Sequence, residues 1–159
     1  MIRFAVPEDL SRVNVLRKQV NDLHVEHRPD VFKAGFGQEI ADVAAAYMQQ
    51  EDADVIVCER DGEILGFAMI RYRERPESVF GMAMRYVEVS EFGVDTDHQR
   101  QGIGRELMQG IKEHAMLRGY RRVELNMWSF NEGALAFYEQ EGFGTYRRYM
   151  EWYADEQNE

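Results

Sequence analysis

At 159 residues the chain is long enough for one domain with a proper core and too short for two. Hydrophobic residues make up 45%, charged residues 30% and prolines only 3 positions, which describes a soluble globular protein. Nineteen basic against 29 acidic residues give a net charge of −10, which argues against phosphate-backbone binding and hence a nucleic-acid partner.

No apolar run approaches the roughly 20 residues that cross a bilayer, so no membrane partner is expected. The start, Met1 to Asp9, lacks the apolar stretch of a secretory signal, and the single Cys58 suits a reducing compartment. The expectation is a cytoplasmic protein with one domain over 1–159 and a frayed tail at 154–159. An acidic surface favours solubility and is compatible with a cationic acceptor such as an amine.

In chain order, Ile2-Arg3-Phe4 reads as a short edge strand. Pro7 suits a first helical position, with Glu8 and Asp9 beside the positive end of the dipole. Leu10, Val13, Leu16, Val20 and Leu23 recur at three- and four-residue steps, predicting an amphipathic helix that ends before His24. The segment His24 to Phe32 contains Pro29, and the residue before proline avoids the α region. Glu39 to Gln50 reads as a second helix.

From Asp54 the period changes. Val55 to Arg60 and Glu63 to Tyr72 flank Asp61-Gly62, the strongest short-range hairpin signal. A polar loop around Pro76 precedes a long strand, Met82 to Val94. After a loop, Ile103, Leu107 and Ile111 share one side of a helix that Gly119-Tyr120 would stop in a Schellman turn. Arg122 to Met127 is a strand, and Ser129-x-x-Glu132 a candidate capping box for a helix to about Glu141. Gly142 would end that helix with Phe143 packed on Tyr138, and Thr145 to Tyr153 is a last strand. Hairpin strands in front and strand–helix–strand crossovers behind imply an α/β (α+β) fold, one mixed sheet with helices on both faces.

The loop Gln99-Arg100-Gln101-Gly102-Ile103-Gly104 lies between a strand and a helix start. Backbone N–H groups there lack intrahelical partners, and the dipole places positive charge among them. Gly102 and Gly104 remove Cβ atoms that would hold an anion away. A dinucleotide fingerprint is excluded because Leu107 stands where the third glycine is needed, and no Gly-Lys-Ser/Thr tripeptide supports an NTP loop. What fits is Gln/Arg-x-x-Gly-x-Gly/Ala. A second constellation follows one helix and one strand later: Asn131-x-x-Ala134-x-x-Phe137-Tyr138-x-x-x-Gly142-Phe143. With both motifs at this separation, the chain resembles the GNAT superfamily of N-acetyltransferases over nearly its full length.

The resemblance implies an acyl-CoA N-acyltransferase fold: a mostly antiparallel sheet of six to seven strands, splayed between the fourth and fifth. It implies acetyl-CoA as cosubstrate, with the diphosphate held on Gln99, Arg100, Gln101, Gly102, Ile103, Gly104 and Arg105. Either arginine is a candidate for reaching a phosphate, a solvated side chain being the alternative. Backbone groups of Phe92, Gly93 and Val94 would pair with the pantetheine arm as an added strand does. Asn131 would contact that arm or brace the splay, or else cap its helix.

Transfer of an acetyl group from a thioester to an amine needs a neutral amine and a proton for the departing thiolate. An alkylammonium, with a pKa near roughly 10.4, is mostly protonated at neutral pH, so a carboxylate is wanted beside it. The candidates are Glu88 and Glu91. Strict alternation points them to opposite faces; a β-bulge, which the resembled family has in this strand, would break that parity. Glu91, nearer the loop, is preferred as base, and Tyr138 is the candidate acid or hydrogen-bond donor to the thiolate. His24, His27 and Phe32 are candidates for contact with a small-molecule or peptide amine acceptor; two histidines alone make no metal site, and none is expected. Cys58 reads as a core residue. The final strand, from Tyr146, is a candidate edge for a homodimer. The alternative to an enzyme is a non-catalytic acyl-CoA-binding regulatory module.

Overall fold

The computed structural model describes residues 1–154, so the expected tail lies, from residue 155 on, outside the described residues. The chain divides at Trp128/Ser129 into two units. The first carries a five-stranded sheet in the order β1-β2-β3-β4-β5. Strand β1 (Ile2–Phe4) pairs antiparallel with β2 (Ala53–Arg60). Strand β2 makes the expected hairpin with β3 (Glu63–Arg75). Asp61 at φ 51° and Gly62 at φ 80° are both left-handed, the condition for a type I′ turn.

Strand β4 (Met84–Val94) runs antiparallel to β3 with one register shift: Ile70 faces Val89 while Met69 faces Glu91, leaving Ser90 as the extra residue. On its other edge β4 pairs in parallel with β5 (Val123–Leu125), from Val87↔Val123 to Val89↔Leu125. Beyond Val89 the ladder to β5 ends, while β4 runs on to Val94. That divergence is the expected splay. Five strands stand among the described residues, against the six to seven expected.

Helices α1 (Leu10–His27) and α2 (Gln38–Gln49) cover one face. Val13, Leu16 and Ala44 pack there on Val55, Val57, Phe67 and Met69, all buried. Full burial of such side chains contributes about 1.5–3 kcal/mol each. Helix α3 (Ile103–Leu117) lies on the other face, where a Cβ added to Gly66 would sit 3.0 Å from Ile103 Cγ2. Its end is the expected Schellman turn: Gly119 at φ +81°, with N–H groups of Gly119 and Tyr120 donating to Met116 O (2.9 Å) and Ala115 O (2.9 Å). Cys58 is fully buried in the core, as expected.

Helix α1 overruns its expected end by a turn, through His27. The proline restriction acts on Arg28 alone, which takes φ −135° and ψ 63°, and leaves His24 to His27 free to stay helical.

Residues 129–154 contain α4 (Glu132–Gln140). Its cap is Asn131, not Ser129: Asn131 Oδ1 accepts the Ala134 N–H at 3.0 Å, the bond a capping side chain makes. At the other end Gly142 has φ +89°, Phe143 N–H donates to Tyr138 O at 2.9 Å, and the two rings lie 5.9 Å apart. The strand expected at Thr145 to Tyr153 does not form among the described residues. Its aromatic and β-branched residues supply strand propensity, but a strand exists through a neighbour's backbone, and Tyr146, Met150 and Trp152 are exposed. No helix of the described residues is long and apolar enough to cross a membrane.

Candidate active site

Strand β4 passes through Asp95 and a 3-10 turn, Thr96–His98, into the glycine loop. Asp95 is 4% exposed and accepts bonds from Arg12 Nη2 (2.6 Å) and Gln19 Nε2 (3.1 Å), with His98 Nδ1 at 3.1 Å. Burial alone would raise its carboxyl, but the bonds from Gln19, Arg12 and His98 outweigh burial and hold it at about 2. The start of the loop is therefore anchored to α1.

Gln99, Arg100 and Gln101 are exposed, with Arg100 left-handed at φ 61° and Gly102 at φ 80°. These two residues turn the chain into α3, whose Ile103 is buried at 1% and fixes the helix start to the sheet. The first intrahelical bond runs from Glu106 N–H to Gly102 O at 3.0 Å, so the N–H groups of Ile103, Gly104 and Arg105 belong to the open end of the helix. Arg60 braces the loop: its Nη1 donates to Gln101 O at 3.2 Å, and it pairs with Glu106. A Cβ on Gly102 would meet nothing within 4 Å, so the approach to those amides is open. Helix-start amides without intrahelical partners, entered through the left-handed Arg100 and Gly102, fit a diphosphate.

Phe92, Gly93 and Val94 pair with Ala68, Phe67 and Gly66 of β3, and their other edge faces the gap beyond the β5 ladder. At Gly93 a Cβ would lie 2.8 Å from both Phe67 Cε1 and Val20 Cγ2, so glycine is required where α1 crosses β4.

The bulge at Ser90 decides the carboxylates. Glu88 faces Arg71 and Glu91 faces Met69, residues two apart on β3, so both carboxylates share the α1 side of the sheet. Strict alternation, which allowed at most one of them there, is overturned by the extra residue. Glu88 accepts from Arg73 Nη2 at 3.1 Å. Glu91 meets a partner that sequence reasoning missed: Arg17 donates through Nε to Oε2 and through Nη2 to Oε1, both at 2.8 Å. Arg17 is 3% exposed. The signal was present, since position 17 lies four residues after Val13 and three before Val20, on the buried stripe of α1.

His24 stacks on Phe32 with ring centroids 5.0 Å apart, and Phe32 meets Trp128 edge-on at 5.3 Å. Arg28 lies 5.0 Å over the Trp128 ring. Burial lowers the His24 pKa against the opposing pull of the Glu91 charge. His27 turns back on its own helix, Nδ1 3.0 Å from Leu23 O. In the second unit, Asn131 serves as the cap of α4, and half-buried Tyr138 has its phenol pushed up to about 12 by burial. No group of three or more His, Cys, Asp or Glu suited to a metal ion occurs among the described residues.

The model of the acetyltransferase (GNAT) family matches residues 18–143, and the chain belongs to that family. Mouse N-acetyltransferase family 8 member 7 is 24% identical over 105 residues, 66% of this chain and 44% of that protein. The ribosomal protein bS18-alanine N-acetyltransferase of Escherichia coli (strain K12) is 31% identical over 91 residues, 56% of this chain and 55% of that one. The chain thus spans about half the length of the curated relatives it matches. Among solved structures, a tetramutant of the BH1408 protein from Bacillus halodurans superposes with TM-score 0.92 at 27% identity, over 97% of this chain and 99% of that one. An aminoglycoside N-acetyltransferase solved with CoA gives TM-score 0.76 at 16% identity, over 98% and 94%, a likeness of fold.

Proposed function

We propose that this chain, as a single N-acetyltransferase domain over residues 1–159, transfers acetyl from acetyl-CoA to a primary amine by direct attack in a ternary complex. The observation that carries the reading is the open helix start at Gly102–Gly104, standing beside the end of β4 where its ladder to β5 has stopped. When bound, acetyl-CoA supplies the activated acetyl thioester. The amides of Gln99 to Arg105 grip its diphosphate, with Arg100 or Arg105 as added charge. The gap-side edge of Phe92, Gly93 and Val94 orients the arm as an added strand would.

The acceptor amine forms the new C–N bond as the C–S bond breaks. Its proton goes to Glu91, directly or through one water, with Glu88 on the same face as the second candidate. Tyr138 donates a hydrogen bond to the departing thiolate; a phenol held up to about 12 stays protonated, and so stays a donor, at neutral pH. Asn131 reaches the arm through backbone it orders as the α4 cap. His24, His27 and Phe32 contact the acceptor, a small molecule or a peptide amine. The E. coli relative is named for a protein alanine and one structural neighbour for aminoglycosides, so both acceptor kinds belong in the trial. The reading includes a cytoplasmic site of action and a homodimer, which light scattering decides.

The test is an acetyl-CoA assay following free thiol across amines of both kinds. Thiol release with a matching acetylated amine supports the reading. Coenzyme binding with no transfer to any amine favours a non-catalytic acyl-CoA-binding module instead.

A further inference from the structure

We propose that Arg17 is a positioning residue of this site: it holds the Glu91 carboxylate at the β4 bulge and ties it to the start of α2. The inference rests on the reading of Glu91 as proton acceptor.

A guanidinium at 3% exposure is costly unless paired and hydrogen-bonded. Arg17 meets both conditions. Its Nε and Nη2 grip the two Glu91 oxygens at 2.8 Å each, while Nη1 donates to Asn14 Oδ1 (3.0 Å) and Ile40 O (2.7 Å). The Phe36 ring lies 5.4 Å from its Cζ. One side chain thus gathers α1, the first turn of α2, the segment before it and the bulged strand. Arginine can do this because its planar fork matches a carboxylate at two points, which an ammonium cannot.

The geometry is directional. Ser90, the extra residue, turns Glu91 towards α1, where the fork of Arg17 meets it. The Glu91 side chain keeps 32% of its surface exposed while Arg17 holds both of its oxygens. A proton acceptor needs such an arrangement: set to within a fraction of an ångström, yet reachable by an amine or a water. The other charged groups around Glu91 are His24 on α1, whose titration feels the Glu91 charge, and Glu88 on its own strand, paired with Arg73 of β3.

The test compares kcat, the KM for acetyl-CoA and melting curves for wild type, Arg17→Lys, Arg17→Gln, Glu91→Gln and the Arg17→Gln/Glu91→Gln double variant, with the KM expected to stay near wild type throughout. Arg17→Gln is expected to lower kcat about tenfold or more, the scale of a displaced acid–base group. Arg17→Lys restores only part of kcat. In the double variant the Arg17 change adds nothing to the kcat loss of Glu91→Gln. A folded Arg17→Gln with wild-type kcat overturns the inference, as does a double variant whose losses multiply. If Arg17→Gln does not fold, Asn14→Ala and Phe36→Leu take its place, and unchanged kcat in both overturns it. Glu91→Gln with wild-type kcat removes the reading of Glu91 itself, a result distinct from silence at Arg17 alone.

Discussion

Nη2 of Arg12 lies 2.6 Å from Oδ2 of Asp95, so helix α1 is fastened to the residue that opens the glycine loop. The pair is lopsided in exposure, 29% for the arginine side chain and 5% for the aspartate, so losing the carboxylate leaves bonds from Gln19 and His98 without their anion. Asp95→Asn is expected to destabilise the fold by about 3 kcal/mol, the scale of a broken buried pair, and to weaken coenzyme binding. Urea unfolding and a coenzyme titration check both.

The same residue sets a pH dependence. Its folded carboxyl is held at about 2 against an ordinary 3.8, so it is depressed. Its stabilisation is then fully present above about pH 4 and is lost as the pH falls towards 2. The contribution is about 2 kcal/mol, which Asp95→Asn should abolish in unfolding curves taken between pH 2 and 5.

Two glycines separate fold from site. Gly93→Ala drives a methyl to within 2.8 Å of Phe67 and Val20, and overpacking of that kind costs about 1–3 kcal/mol. Gly102→Ala meets no atom within 4 Å, and its cost is the left-handed backbone at φ +80°, about 1–2 kcal/mol. The Gly102 variant should lose coenzyme affinity out of proportion to its melting point, and the Gly93 variant should do the reverse. Paired melting and binding curves decide.

On the α3 face, the Tyr72 hydroxyl donates to Asp54 Oδ2 at 2.5 Å and lies 2.6 Å from His114 Nε2. Burial, then the Asp54 charge, pushes its phenol well above the ordinary value, so it remains a neutral donor. Tyr72→Phe leaves both partners short of a bond and should cost about 1–3 kcal/mol in unfolding experiments. It should leave the KM for acetyl-CoA unchanged; a KM change of tenfold would place the cluster within the site's reach.

Tyr138→Phe removes the proposed donor while leaving the ring on Phe143. The expected result is a fall in kcat of about a hundredfold with little change in coenzyme affinity. Because the phenol sits at about 12, wild-type activity should show no alkaline limb from this residue below about pH 10.

What the sequence made legible follows from local rules. Asp61-Gly62, Gly119-Tyr120 and Gly142-Phe143 each declared a turn whose backbone only glycine or a short polar residue adopts readily, and all three formed. The two glycine motifs, six residues and thirteen residues long, pointed to the family that the match over residues 18–143 shows. What stayed hidden was decided by tertiary contacts. That Glu88 and Glu91 share a face follows from the bulge that the family resemblance implied, but its position, at Ser90, has no composition signature. The position of Arg17 on the buried stripe of α1 is legible, but its partners on α2 and β4 are not. The last segment carries strand propensity, yet pairing depends on another element's backbone, which propensity does not supply.

The most direct measurement of the central claim is an amide-resolved NMR titration of the labelled protein with CoA. The account predicts the largest shifts at residues 99–105, with a second set at 92–94 beside the gap in the sheet. Saturation with those amides unmoved, and the shifts gathered elsewhere, would contradict it.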